Sequence, residues 1–159
     1  MRRKEREVTD IEKIDQIIAG CDCCRIALCN GSDAPYIVPL SFGFERTAEG
    51  CFFYFHGART GRKLELMDQN PNVGFELDSD HQIVRGGRAC DYSTHYCSVV
   101  GTGRLERASA YADKLHALDC IMAHYEPDKS WTYDEKVVQA TEILCLRVKE
   151  LSCKAYGAY

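Results

Sequence analysis

The sequence predicts a single, mainly β domain of the α+β class, an antiparallel barrel or sandwich with a few flanking helices. Three observations carry that prediction. Strand-like runs follow one another through short turns, without the regular helical crossovers that a parallel sheet requires. Several runs alternate bulky apolar with small or polar side chains at a period of two. No repeat, low-complexity tract or Pro/Ser-rich linker divides the 159 residues. A chain of this length buries about 70% of the surface its unfolded form exposes, so one core suffices without staples.

The elements follow in order. Thr9-Asp10-Ile11-Glu12 has the form of a capping box, with the Thr9 oxygen accepting from the Glu12 amide and Glu12 reaching back. Ile11, Ile14, Ile17 and Ile18 continue with helical spacing, and Gly20 is a stop, which predicts a helix over 10–19. Arg25 to Cys29 is a short apolar strand, turned by Asn30-Gly31. Pro35 to Glu45 reads as one strand, with Tyr36, Val38, Leu40, Phe42 and Phe44 on a bulky face and Ile37, Pro39, Ser41 and Gly43 on a narrow one. Cys51 to His56 is apolar on both faces, so both should be covered. A small-residue loop and a short helix follow, ended by Asn70-Pro71. Asn72 to Asp78 is a strand, and the polar stretch 79–92 is expected to be mostly loop. Tyr96 to Glu106 is a long strand in which Gly101 and Gly103 predict a bend or bulge. A helix is expected over 109–124, with an apolar stripe of Ala112, Leu115, Leu118, Ile121, Met122 and Tyr125. Residues 126–136, which hold Trp131, read as loop, and Glu142 to Leu151 closes the chain as a strand. The total is five or six strands.

Composition excludes some functions. Twenty Lys and Arg stand against 24 Asp and Glu, a net charge of −4, without the basic excess of a dedicated nucleic-acid binder. No apolar run approaches the ~20 residues of a membrane span. The basic opening Met1-Arg2-Arg3-Lys4-Glu5-Arg6 has no apolar stretch after it, so a secretory signal is not expected, and the ten cysteines are expected to stay reduced in a cytoplasmic setting. Cys21 and Cys24 have C-x-x-C spacing, but no second such pair exists to complete a four-thiolate metal site. Packing as small hydrophobes is the expected role of the cysteines, with no metal ligand among them. His81, His95, His116 and His124 have no ligand-like spacing and read as solvated or packed; Trp131 and Tyr133 read as surface-loop or subunit-contact residues.

The segment that carries chemistry is His56-Gly57-Ala58-Arg59-Thr60-Gly61-Arg62-Lys63. Two adjacent cations stand in the first turn of a short helix, where free amides and the helix dipole favour an anion. Cations there oppose the dipole, and a bound phosphate would remove the conflict. Arg62 can fork two hydrogen bonds to it, Lys63 adds a compact charge, and Gly57 and Gly61 let the backbone approach. The spacing matches neither a Walker A loop nor a dinucleotide fingerprint. The narrow face at Pro39, Ser41 and Gly43 has room for a flat ring whose polar edge pairs with backbone groups.

Five segments in order resemble the pyridoxamine 5′-phosphate oxidase-like flavin proteins: 35–44, 54–58, 61–64, 70–73 and 96–104. The resemblance is nearest to the nitroimidazole-resistance (5-nitroimidazole reductase-like) branch, which the opening Met1-Arg2-Arg3-Lys4 and the stretch Ile121-Met122-Ala123-His124-Tyr125 also fit. It implies a six-stranded antiparallel Greek-key split β-barrel with flanking helices. It also implies a homodimer with FMN, or FAD, at the subunit interface. By family position, Gly61, Arg62 and Lys63 would hold the phosphate, and Val38, Pro39, Leu40 and Ser41 would line the ring and ribityl chain. Phe55 and His56 would meet the ring, and Ser98 would touch the flavin from the later strand. His56 would be the catalytic candidate, placed to give a proton to a reduced substrate.

The chain departs from the oxidase proper. Ser41-Phe42 stands where that enzyme carries a basic residue, and the tail Cys153-Lys154-Ala155-Tyr156-Gly157-Ala158-Tyr159 lacks its substrate-binding Arg and His pattern. The expected function is therefore an FMN-dependent oxidoreductase, of which nitro-group reduction is one form, with electrons from a nicotinamide or another donor bound transiently. A non-catalytic flavin-binding or storage module and a thiol or metal protein built on Cys21, Cys23 and Cys24 are the competing readings.

Overall fold

The computed structural model describes residues 3–29, 31 and 34–157. Asn30 of the predicted turn, Met1 and Arg2 of the family-like opening, and Ala158 and Tyr159 of the tail lie outside the described residues. After a turn of 3-10 helix at Lys4–Arg6, the elements are β1 (Glu7–Val8), α1 (Ile11–Ala19), β2 (Cys24–Leu28), β3 (Tyr36–Leu40), β4 (Gly43–Thr47) and β5 (Gly50–Gly57). They continue with α2 (Arg62–Gln69), β6 (Asn72–Val84), β7 (Ser93–Arg107), α3 (Tyr111–Tyr125), α4 (Glu135–Ala140) and β8 (Glu142–Tyr156). Among the described residues no helix is long and apolar enough to cross a membrane.

Several boundaries correct the sequence reading. Asp10, not Thr9, caps α1, its carboxylate accepting from the Lys13 amide at 3.3 Å. Both are good capping residues, and the later start leaves Ile11 exposed while Ile14, Ile17 and Ile18 are buried. The run 35–45 is two strands rather than one, broken at Ser41 and Phe42. The stretch 79–92 is not mostly loop: β6 continues to Val84 through a bulge between Ser79 and Gln82, where Asp80 has φ 58°. Polar side chains misled there because this end of the β6–β7 ribbon extends into solvent. The strand β1 and the helix α4 were not foreseen, and the sheet holds eight strands rather than six.

The strand order is β3-β2-β6-β7-β8-β5-β4, with β1 added beside β8, and every described pairing is antiparallel. The two strands at the ends of that order, β3 and β4, are consecutive in the chain and joined by only Ser41 and Phe42. The sheet must therefore curl until its edges adjoin, which makes a barrel split at the β3–β4 seam. Phe42, Phe44, Phe53 and Phe75 fill the inside of that seam, with centroid separations of 5.1–5.6 Å from Phe53 to each of the others.

The glycine prediction in β7 holds. The register with β8 shifts between Thr102 and Gly103. A Cβ at Gly101 would stand 2.3 Å from the Glu150 carbonyl oxygen and 2.4 Å from the Phe75 ring. Gly101→Ala is expected to destabilise the fold by about 1–3 kcal/mol, measured by denaturant unfolding.

The face alternation predicted for 35–45 survives the break. Phe42 and Phe44 point to the core, while Ile37, Pro39, Ser41 and Gly43 point outward. The outer face then divides. Over β4 and β5 it is covered by α3, as the doubly apolar run 51–56 required; over β3 it is bare, with Ile37 61% exposed. The stripe predicted for α3 is shifted. Ala117 and Ile121 are its buried line, whereas Ala112 is exposed.

The C-terminal end of α3 ties down the seam. Tyr125 hydroxyl accepts from the Phe42 amide at 3.1 Å and donates to the Asp22 carbonyl at 2.9 Å, and His124 Nε2 donates to the Cys21 carbonyl at 2.8 Å. Tyr125→Phe leaves the half-buried Phe42 amide without this acceptor. The expected loss is about 1–3 kcal/mol, read as a lower midpoint of thermal unfolding.

Candidate functional site

Helix α2 begins without a side-chain cap. Its N-cap is Gly61, at φ 129°, and the first amides paired along the helix are those of Leu64 and Glu65, both to the Gly61 carbonyl at 2.9 and 3.2 Å. The amides of Arg62 and Lys63 are left facing outward at the positive end of the helix dipole. Leu64, Leu66 and Met67 are buried and anchor the helix, so the two cations are presented from a fixed base. Among the described residues neither cation has a carboxylate within ion-pair distance. The exposed Arg62 guanidinium stacks 4.9 Å from the Tyr36 ring centroid, which brings the start of α2 beside the start of β3. Lys63 is half-buried, and a Cβ at Gly57 would stand 3.1 Å from its Nζ, so the bare glycine makes the ammonium's seat. Burial pushes the Lys63 pKa below its usual value, with Glu142 opposing.

The other predicted residues divide. Val38 and Leu40 are half-buried and Pro39 and Ser41 exposed, on a strand whose outer edge has no hydrogen-bonded partner among the described residues. Pro39, which lacks an amide, suits such an edge. His56 is exposed on β5, next to Gly57 and so next to the Lys63 seat. Phe55 is fully buried, so its ring serves the core and only its backbone can meet a ligand. Ser98 is half-buried and lines a cavity of about 390 Å³ with Glu7, Val100, Ser152 and Lys154, apart from the other predicted residues. Register places it on the same outer face as Pro39, but three strands along, roughly 14 Å at the usual strand spacing.

Sequence reasoning passed over two features. A cavity of about 350 Å³ is lined by Arg59, Arg107, Lys114 and Glu142. Arg107 bonds Asp68 at 2.6 Å and Glu142 at 2.8 Å, and Lys114 donates to the Thr141 carbonyl at 2.6 Å, which leaves Arg59 as the cation of that cavity with neither a hydrogen bond nor an ion pair from its side chain among the described residues. The second feature is a larger cavity of about 590 Å³, over the outer face of β4, β5 and β8 beside α3, which contains none of the predicted residues. On its wall His116 Nε2 lies 3.0 Å from Glu45 Oε2, and Tyr54 hydroxyl donates to the same oxygen at 2.8 Å. The His116 contact, with Tyr54, holds the Glu45 carboxyl below its usual range, and burial pushes the Cys120 thiol up to about 11. The signal was in the sequence, as His116 and Cys120 are four apart on one helix.

The Cys21-Cys24 pair packs. Both are buried; burial pushes Cys21 up to about 11 and Cys24 further, and the Cys21 thiol donates to the Ile17 carbonyl at 3.2 Å. Among the described residues, the one set of three or more metal-capable side chains that converge is Glu45, His116 and Cys120.

Comparisons with known proteins agree with this architecture. The family model described as pyridoxamine 5′-phosphate oxidase matches residues 10–155. The chain is similar to the crystal structure of a candidate 5-nitroimidazole antibiotic resistance protein from Bacteroides thetaiotaomicron, with 28% identity, a TM-score of 0.80, and coverage of 94% of this chain and 86% of that one. The flavocytochrome Anf3 from Azotobacter vinelandii shares the fold at a TM-score of 0.80 and 20% identity, covering 99% of this chain and 72% of that one. An FAD- and heme-binding protein from Mycobacterium smegmatis does so at 0.80 and 19%, covering 97% and 75%. An uncharacterized protein of Rhizobium meliloti is 26% identical over 112 residues, 67% of this chain; the match spans 62% of that protein's length.

Proposed function

Because the chain belongs to the pyridoxamine 5′-phosphate oxidase family, we propose that it is a flavoprotein oxidoreductase that holds FMN by its phosphate at Arg62 and Lys63 and reduces small nitro compounds of the 5-nitroimidazole type. One observation carries this reading. Among the described residues, two cations with no carboxylate within ion-pair distance, one of them half-buried against a bare glycine, stand at the uncapped start of α2. A half-buried ammonium that the charge of Glu142 offsets only in part is unfavourable by itself, and a phosphate supplies both the charge and the acceptors for the two free amides. The residues present therefore fit the group. The 28% identical neighbour is a candidate 5-nitroimidazole resistance protein, and the more distant ones are named as a flavocytochrome and an FAD- and heme-binding protein.

When bound, the flavin supplies the redox chemistry. The chain's residues bind and orient. Arg62 forks onto the phosphate and stays tethered to Tyr36, and Lys63 neutralises its charge. The exposed edge of β3 from Val38 to Ser41 offers backbone donors and acceptors to the polar edge of a ring. His56, next to the Lys63 seat, gives a proton from its imidazole nitrogen to the oxygen of the reduced substrate.

A homodimer completes the site. Pro39, Val100 and Ser152 share one row of the outer face, and Ile37 and Thr102 the next; Ile37 is 61% and Val100 49% exposed. Pairing two such faces buries these side chains and brings Ser98 of a second copy to the flavin. Sedimentation at micromolar concentration is expected to give a dimer.

Binding is pH-dependent. A phosphate favours the charged form of Lys63 and raises its pKa from the lowered value. Affinity is therefore full below the lowered pKa and falls as pH rises through it. Flavin titration across pH is expected to show this fall, and Lys63→Arg to flatten it.

The direct test is to purify the protein, measure the mass of any flavin released by heat, and mix the reduced protein with a nitroaromatic. FMN release and electron transfer from NADH, NADPH or dithionite support the reading. Flavin binding without transfer leaves a storage module, FAD in place of FMN corrects the cofactor, and failure to bind any flavin overturns the phosphate site.

A further inference from the structure

The 590 Å³ cavity lies outside the flavin reading, and a side-chain set stands at its edge with two of its three members, Glu45 and His116, on the wall. We infer that Glu45, His116 and Cys120 form a site for a zinc-class divalent cation. Their ligand atoms, one carboxylate oxygen, one imidazole nitrogen and one thiol sulfur, lie within 4.8 Å of one another. His116 Nε2 stands 3.0 Å from Glu45 Oε2 and 3.6 Å from Cys120 Sγ. A cation with bonds of about 2.0–2.3 Å to N, O and S fits between atoms so spaced after small side-chain movements.

Placement by the fold, rather than chance surface proximity, supports the site. His116 and Cys120 are one turn apart on α3, so they share a helix face. Gly43 sits two residues from Glu45 on the same face of β4. A Cβ at Gly43 would stand 2.5 Å from the Cys120 carbonyl carbon and from the Ile121 amide nitrogen. The missing side chain seats α3 directly on the strand and lowers His116 and Cys120 onto Glu45. A second layer holds the ligands. Tyr54 donates to Glu45 Oε2 at 2.8 Å, and its ring meets the His116 ring edge-on at 5.6 Å. Such outer contacts orient ligands and tune affinity.

The donor set selects the ion. One soft thiolate, one imidazole and one carboxylate match zinc, whereas magnesium and calcium prefer oxygen alone. On binding, the Cys120 proton leaves to solvent and sulfur ligates as thiolate. Three protein ligands leave a fourth tetrahedral position for water. Glu45 and His116 line the cavity, which gives that water a way in.

The test uses the full chain, with Zn²⁺ in calorimetry and Co²⁺ in absorption spectroscopy. The expected result is one tight equivalent per chain and a thiolate-to-cobalt charge-transfer band. Cys120→Ser removes that band, while Cys23→Ser keeps it. His116→Ala and Glu45→Gln each weaken Zn²⁺ binding by at least about a hundredfold, and Tyr54→Phe by about tenfold. Circular dichroism identifies any variant that misfolds, and the Tyr54→Phe and Glu45→Gln results then decide alone. Absence of the band, its survival in Cys120→Ser, or unchanged Zn²⁺ affinity in Glu45→Gln overturns the site.

Discussion

Replacing Arg62 and Lys63 together by alanine is expected to abolish retention of flavin while the fold stays intact. Each side chain gives charge-assisted hydrogen bonds worth about 1.5–3 kcal/mol, so losing both costs about 3–6 kcal/mol. That is roughly a hundredfold to ten-thousandfold in Kd. The fold is spared because α2 is anchored by Leu64, Leu66 and Met67, none of which is changed. Removing Lys63 also removes a half-buried ammonium whose pKa burial already pushes down, so stability is expected to stay level or rise. Fluorescence titration with FMN, beside a circular dichroism melt, separates the two effects. Unchanged affinity in the double variant would reject the phosphate assignment, and a collapsed melt would assign the two cations to the fold instead.

Phe53→Ala is the expected large loss of stability. Phe53 is fully buried and stands against Phe42, Phe44 and Phe75 at 5.6, 5.1 and 5.2 Å. Those partners come from the β3–β4 junction (Phe42), from β4 (Phe44) and from β6 (Phe75), so Phe53 packs beside the seam, where the edges β3 and β4 are not paired with each other among the described residues. Deleting a buried phenyl ring costs about 3–5 kcal/mol, which at this size lowers Tm by roughly 6–20 °C. Differential scanning calorimetry reads it. Phe53→Leu is expected to lose much less, because it keeps most of the volume. A similar Tm for wild type and Phe53→Ala would show that the seam is held by other contacts.

These two sites differ in how visible they were in the sequence. The pair Arg62-Lys63 after Gly61 was legible, because a glycine bend, a helix start and two charges in conflict with the dipole are all local features. So was the inward line Tyr36, Val38, Leu40, Phe42 and Phe44, which kept its face across a break that the pattern did not reveal. The break itself was hidden because alternation continues through Ser41 and Phe42. The polar run at 79–92 hid the far end of β6, since a ribbon reaching into solvent needs no apolar side. Ser98 was placed by resemblance alone, and the fold sets it on the same outer face as Pro39 but about 14 Å away within one chain.

The sequence by itself determined the strand period, the core face of the run 35–45, the bulge at Gly101 and Gly103, and the glycine-led, doubly basic start of α2. Each depends on residues within a few positions of one another. Only the tertiary structure decided which outer face α3 covers, where the two edges of the sheet meet, and that Glu45, His116 and Cys120 converge although 71 residues separate the first two. The physical reason is that periodicity is a property of a segment. Register and helix seating depend on which distant surfaces fit, and here a missing Cβ at Gly43 selected the fit.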